Sequence, residues 1–244
     1  MTENEPITPQ VIDDLAPTGV LRAAINFGNP VLARQGPDGS PEGVSVTLAK
    51  ALANELGVPL AMITFDAAGK VFAALESGAW DIAFLAIEPA REALIAFSEP
   101  YVIIEGTYLV ATDSPYRRVV DLDQPGLKLA VGQGAAYDLY LTRTLKHAQL
   151  VRAETSAAAV DAFHALALDA AAGVRQPLQS IADADSRYRV LADAFTSIRQ
   201  AMAVPRGRQA AAAYVRHFVK RMKTQGVVQA ALTANGQKDV SAAP

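Results

Sequence analysis

The side chain best placed for chemistry in this sequence is Arg91. It lies between an apolar run, Ile82-Ala83-Phe84-Leu85-Ala86-Ile87, and a segment that reads as a turn, Phe97-Ser98-Glu99-Pro100-Tyr101. The run opens after Asp81 and has the length and character of a β-strand covered on both faces. Ligands of α/β sheets bind at the carboxyl ends of the strands, so the end of this run, Phe84 and Ala86 included, is a candidate binding rim. Arg91 follows it with a permanently charged planar fork that suits a carboxylate, gripped through two parallel hydrogen bonds. A lone arginine is more often solvated surface; its place after a buried strand is what favours binding. Glu88, between strand and arginine, has three readings. It neutralises Arg91, receives a cationic group of a ligand, or points to water, the commonest fate of an acidic residue.

A second candidate is Gly132-Gln133-Gly134-Ala135-Ala136-Tyr137, where a strand pattern gives way to a helical one. A dinucleotide-binding turn would need a third glycine where Tyr137 stands, so that reading fails. Glycines at a strand-to-helix turn still let backbone N–H groups face an anion, which makes Gly134, Ala135 and Ala136 candidates. A tight structural turn is the competing account. Asn29, in the loop after the first strand, and Lys70, at a helix start near the expected rim, are weaker candidates. Tyr140 and Trp80 read as core. The chain has no cysteine, which removes disulfides, thiolate metal sites and cysteine nucleophiles together. His147, His164 and His217 lack ligand spacing, so neither metal nor cofactor is expected, and no residue is assigned as catalytic.

Strands and helices alternate twice along the 244 residues. Val20 to Asn26, Leu60 to Phe65, Trp80 to Ile87 and Glu105 to Ala111 read as strands. Helices over the leucines at 48, 52 and 56 and over 71–77 intervene, stopped by Gly57 and Gly78. A second set follows a break at Asp113-Ser114-Pro115: strands near 127–131, 150–151, 168–172, 188–191 and 199–204, with helices over 135–147 and 155–166. Thr155 is a plausible cap for the latter. The tail is helical, with Tyr214, Val215, Phe218 and Met222 on one face and Gly226 as a stop. Two such sets predict two α/β lobes, each a sheet flanked by helices. The expected boundaries are a polar tail over 1–19, a first lobe from 20–111 and 200–244, and a second from 112–199. The basic stretch from Arg206 to Lys223 reads as a solvated face, with an acidic docking partner as the alternative.

Order and spacing together resemble the amino-acid type of bacterial solute-binding proteins, family 3, receptors of ABC importers. Leu21-Arg22-Ala23-Ala24-Ile25-Asn26 resembles their first strand, and Glu42-Gly43-Val44-Ser45-Val46-Thr47-Leu48-Ala49 their first helix entry. Arg91 with the F-S-x-P-Y segment, and Asp121-Leu122 through Gly134, continue the resemblance to about Leu232. It implies a two-lobed, type II periplasmic-binding-protein-like fold with a two-strand hinge. It also implies that Arg91 clamps a ligand carboxylate and that the turn at Gly134 donates to it. At Glu88 the family often has a small hydroxyl residue. At the end of the strand reading Leu168 to Arg175 it carries an aspartate for the ligand's ammonium. Here that end is Gly173-Val174-Arg175, so Arg175 either faces inward, favouring a ligand of little positive charge, or faces water.

The implied function is binding of a small organic carboxylate or amino-acid-like ligand by a monomer that serves the membrane subunits of an importer. A dehydratase resembling cyclohexadienyl or arogenate dehydratase is the alternative, and a cytoplasmic ligand sensor a third. The enzyme ranks second because an acid beside Arg91 has its pKa lowered, not raised. A net charge of −3 argues against a nucleic-acid partner. The resemblance implies a periplasmic protein. Met1-Thr2-Glu3-Asn4-Glu5-Pro6 lacks the basic start of a signal peptide, which predicts a cytoplasmic one if Met1 is the true start.

Overall fold

The computed structural model describes residues 6–244; the acidic start up to residue 5 lies outside them. The elements run α1 (Pro9–Leu15), β1 (Leu21–Asn26), β2 (Arg34–Gln35), β3 (Pro41–Glu42), α2 (Val44–Leu56), β4 (Leu60–Phe65), α3 (Ala68–Ala73), β5 (Ile82–Ala86), α4 (Pro89–Glu92) and β6 (Ile95–Ala111). After a 3-10 turn at Val119–Leu122 come β7 (Lys128–Gly132), α5 (Ala136–Thr144), β8 (Gln149–Ala153), α6 (Ser156–Ala165), β9 (Ala170–Val174), α7 (Arg175–Ala184), β10 (Tyr188–Val190), β11 (Thr196–Pro205), α8 (Gln209–Thr224) and α9 (Val227–Ala234).

The chain divides into two compact units. One comprises the chain up to Phe65 with Lys70–Ile103 and Arg199–Pro244; the other comprises Asp66–Gly69 and Ile104–Ile198. Apart from the short excursion at Asp66–Gly69, the chain passes from one to the other within β6 and within β11. The crossing therefore falls at Ile103 and Ile104, not near residue 112, because β6 is one strand of 17 residues.

In the first unit β4, β1, β5 and β11 lie side by side, with β1 parallel to both β4 and β5 and β11 antiparallel to β5. All five residues of β5 are buried, the reason its sequence is an unbroken apolar run. Leu48 and Leu52 of α2, Trp80, and Tyr214 and Phe218 of α8 are fully buried in this unit. The Trp80 indole donates to the Val71 carbonyl at 2.9 Å, which removes the cost of burying its N–H. Entry into α2 requires glycine: Gly43 has φ +124°, and a Cβ there would lie 2.4 Å from the Leu32 carbonyl oxygen.

In the second unit the order is β6, β9, β7, β8, with β7 parallel to β8 and β9, while β6 runs antiparallel to β9 and carries β10. Leu109, Ala130, Val160, Phe163, Ala171 and Leu178 form its core. Thr155 caps α6, its hydroxyl accepting the Ala158 N–H at 3.0 Å.

Three expectations are corrected. Residues 8–19 are not a tail: Thr8 caps α1, whose Val11 and Leu15 are buried, and Asp14 accepts the Ala210 and Ala211 N–H groups at the start of α8. Phe97 to Tyr101 is not a turn but part of β6. Pro100 lacks a donor, yet the Ser98 hydroxyl accepts the Met202 N–H from β11 and ties the segment to the sheet. Arg175 does not end a strand; it is the first residue of α7, a helix the sequence reading did not include.

Candidate functional site

In the first unit the parallel register pairs Ala23 with Ile82 and Ala24 with Ala83, so β1 and β5 end at the same rim. Glu88 leads into α4 with extended backbone, and Pro89 opens the helix at a position that needs no N–H. The Arg91 N–H bonds the Glu88 carbonyl at 2.8 Å, and Ile87 is held to Arg199 of the next residues on β11 at 2.9 Å. This short turn folds the Arg91 side chain back over the strand end, where Nη1 donates to the Ala86 carbonyl at 3.0 Å. Only 1% of Arg91 is exposed. Burial pushes its guanidinium down to about 10, with the nearby Glu88 charge acting in the opposite direction.

Glu88 does not point to water: it is 8% exposed. The tight entry into α4 fixes its backbone beside the buried arginine, so the surface reading of this carboxylate is corrected. Asn29, one turn beyond β1, is also 8% exposed. Its carbonyl accepts the Leu32 and Ala33 N–H groups at 3.0 and 3.2 Å. Its buried Oδ1 has no hydrogen-bond donor among the described residues. Phe84 and Ala86 are buried in β5; the Phe84 ring packs edge-on against Tyr101 at 6.1 Å, and Ala86 contributes its carbonyl. Lys70 is exposed on α3.

At the opposite end of β5 lies a cluster that sequence reasoning missed. Asp81, fully buried, accepts Arg22 Nη2 and Arg208 Nη1 on Oδ1, both at 2.8 Å, and the Arg22 N–H and Nε on Oδ2. Desolvation alone would raise its pKa, but the hydrogen bonds from Arg22 and Arg208 outweigh it and the net direction is down.

In the second unit the turn after β7 is built as the glycine pattern implied. Gly134 has φ +70°, and a Cβ on Gly132 would lie 2.8 Å from the Tyr137 hydroxyl. Its amides, however, are engaged. The Gly134 N–H donates to Asp138 Oδ2 at 2.8 Å, and the Ala135 N–H to the Gly132 carbonyl at 3.1 Å. Asp138 is buried and also takes Arg152 Nε at 3.0 Å. Two of the three residues reserved for a ligand anion thus donate within the turn, and an internal carboxylate sits where an external one was expected. Ala136 is the first residue of α5 and is buried.

Arg175 is tied down inside the same unit. Nε donates to Glu105 Oε2, Nη1 to the Leu191 carbonyl at 2.8 Å, and Nη2 to the carbonyls of Ala192 and Asp193 at 3.1 and 3.0 Å. Its partners lie 16 to 70 residues away along the chain, which no local pattern could announce. Gln176-Pro177 beside it was the legible signal of a helix start. Among the described residues no three acidic or histidine side chains gather to hold a metal ion, and no helix is long and apolar enough to cross a membrane.

Two α/β units joined through a pair of long strands, with an arginine buried at the carboxyl end of an inner strand, define a type II periplasmic-binding-protein fold. The chain belongs to the bacterial extracellular solute-binding proteins, family 3, whose family model matches residues 21–235. Among solved structures it is similar to a mutant of the arginine-binding protein ArgBP from T. maritima, at 20% identity and TM-score 0.80, over 93% of this chain and 100% of that one. The receptor for L-cysteine of Neisseria gonorrhoeae is similar at 20% identity and TM-score 0.80, over 93% of each chain. The ancestral amino acid-binding protein AncCDT-1, a precursor of cyclohexadienyl dehydratase, is similar at 25% identity and TM-score 0.76, over 91% of this chain and 98% of that one. No curated protein matches the sequence.

Proposed function

We propose that this protein is a receptor for a small organic carboxylate or amino-acid-like ligand, that Arg91 grips the carboxylate, and that the loaded protein delivers it to the membrane subunits of an ABC importer. The single observation behind the clamp is the placement of Arg91. A guanidinium 1% exposed at the rim of β5, with one nitrogen on the Ala86 carbonyl, is held in a fixed pose. A pre-positioned fork loses little freedom on pairing with a carboxylate, and the bond gains from a drier site. Binding by both units, with closure about the strand crossings, is the expected mode for a member of this family. Asn29, Ala86 and Glu88 would line the ligand in the first unit. Phe84 would shape the floor from beneath, and Gly134 and Ala135 would hold the turn in place. Arg175 would act only by fixing residues 191–193.

A dehydratase is the second reading, favoured by the buried carboxyl of Glu88 beside Arg91, a placement open to a general acid. The two readings part in one experiment. Wild type and Arg91→Ala are taken through a thermal-shift panel of amino, 2-keto, 2-hydroxy and dicarboxylic acids. The wild type should be stabilised by at least one panel member, since any ligand confined to the native state raises the melting temperature. Arg91→Ala should lose at least ~2 kcal/mol of binding free energy. NMR of the incubated ligand should show it unchanged. Wild-type affinity in Arg91→Ala rejects the clamp, and ligand turnover replaces the receptor with the enzyme.

A further inference from the structure

We infer that β4 is a docking edge for a second copy of this chain, the two copies pairing their β4 strands antiparallel about a two-fold axis through Met62.

The first observation is the parity of the edge. β4 stands at the end of its sheet and pairs with β1 on one side. The Leu21 N–H donates to the Pro59 carbonyl and the Phe27 N–H to the Phe65 carbonyl. In a parallel ladder of that register, residues 59, 61, 63 and 65 turn their backbone groups toward β1. Leu60, Met62 and Thr64 turn theirs the other way, where β4 has no strand neighbour.

The second observation is what this edge lacks. Sheets keep other chains off their outer strands with charges, prolines or bulges. The other outer strands follow that rule: β8 carries Arg152, β10 Arg189, β2 Arg34, and β3 Pro41 with Glu42. β4 reads Leu60-Ala61-Met62-Ile63-Thr64-Phe65, with neither charge nor proline. Its apolar side chains are only half-buried, whereas Leu21, Ala23, Ala24 and Ile25 beside them on β1 are fully buried. One more strand alongside would cover them.

The occupant follows from the parity. Antiparallel pairing must set outward residues opposite outward residues. Met62 opposite its own copy puts Leu60 opposite Thr64 at both ends, and every outward residue of both strands is used. A slip of two residues leaves Leu60 or Thr64 beyond the partner strand, and a slip of one turns outward groups toward inward ones. The strand is self-complementary, as an isologous two-fold interface requires. Neither copy brings a charge to the seam. β4 runs parallel to β1, and β1 to β5, so the pairing points the two Arg91 rims in opposite directions. A six-residue seam is small, so the monomer expected from the sequence is the dilute form and the dimer the concentrated one.

The chain has no cysteine, so Met62→Cys and Thr64→Cys each introduce a sole thiol. Across the axis the two Cα atoms of residue 62 stand about 5.5 Å apart, within the reach of a disulfide. Those of residue 64 stand about 14 Å apart, four residue steps along the seam. Mild oxidation of concentrated protein should cross-link Met62→Cys into a covalent dimer and leave Thr64→Cys monomeric. Sedimentation of the wild type from micromolar to near-millimolar concentration should show a monomer–dimer equilibrium. Met62→Lys should weaken it at least about tenfold, since like charges meet at the axis. Thr64→Lys, at an exposed position, should weaken it too, as an edge lysine does. Melting curves of dilute samples show that both lysine variants are folded. A wild type that stays monomeric throughout overturns the inference, as does growth past the dimer into larger species. Cross-linking of both cysteine variants alike, or of neither, overturns it as well.

Discussion

Two arginine arrangements show how the same side chain serves different ends. Arg91 is buried at the end of β5 with one nitrogen on the Ala86 carbonyl, whereas Arg175 gives all three nitrogens to Glu105 and the 191–193 carbonyls. The first is suited to a ligand and the second to architecture. Arg91→Lys should therefore be impaired in binding nearly as much as Arg91→Ala, because an ammonium cannot reproduce the two-pronged grip; calorimetry with the tightest panel ligand checks this. Asp81 is the residue whose loss should cost most in stability. Removing it leaves Arg22 and Arg208 without their shared anion, and Asp81→Ala should cost about 3 kcal/mol in urea unfolding. The pH dependence follows from the direction of its pKa. The folded value lies below the unfolded one, so the stabilisation is complete above the ordinary carboxylate range near ~4 and is lost as pH falls through the folded value. The gap in melting temperature between wild type and Asp81→Asn should accordingly narrow on acidification below about pH 4. A gap that widens there would contradict the assignment.

Helix α1 is the element the sequence concealed. Asp13-Asp14 made the segment look polar, yet Thr8 followed by Pro9 is a helix-start signal that was there to be read. Its value lies in a long-range cap. Asp14 satisfies the Ala210 and Ala211 amides at the start of α8, while Arg208 Nη1 donates to the Asp14 carbonyl and also reaches Asp81. Asp14→Ala should thus lower stability by about 1 kcal/mol, as the loss of a local N-cap does. Deleting residues up to Ala16 should cost more, since Val11 and Leu15 lose their burial. Chemical denaturation of the two variants distinguishes a docked helix from a tail, which would leave the midpoint unmoved. In the second unit the turn at Gly134 carries the same lesson. Its glycines announced a backbone turned for donation, but the acceptor is Asp138, four residues on in the sequence. An acidic residue inside the first turn of a helix was the signal that the turn could supply its own anion.

For the molecule as a whole, the chain passes between units within β6 and β11. As a receptor it should contract on binding: two units linked through a pair of strands can move as bodies about the crossings, and a ligand touching both favours the closed form. Small-angle scattering with a saturating panel ligand should give a smaller radius of gyration than without it. An unchanged radius would count against the proposed closure while leaving the first-unit rim to be judged by the Arg91 variants.

The sequence by itself determined the alternation of strands and helices and their division into two α/β sets. That follows from local signals: an apolar run such as 82–87 reads as a covered strand, and Gly57 and Gly226 can take the left-handed backbone that ends a helix. Local signals also singled out Arg91, since nothing beyond its neighbours was needed to see it follow a strand. Tertiary structure alone decided where the charges go. Glu88 became buried, Arg175 became a loop tie, Asp81 acquired two arginines, and Asp14 capped a helix almost 200 residues away. A charged side chain has no periodicity to betray its partner. Its fate is set by whichever opposite charge or open backbone amide the fold brings within hydrogen-bond reach, and that choice is made between segments far apart in the chain.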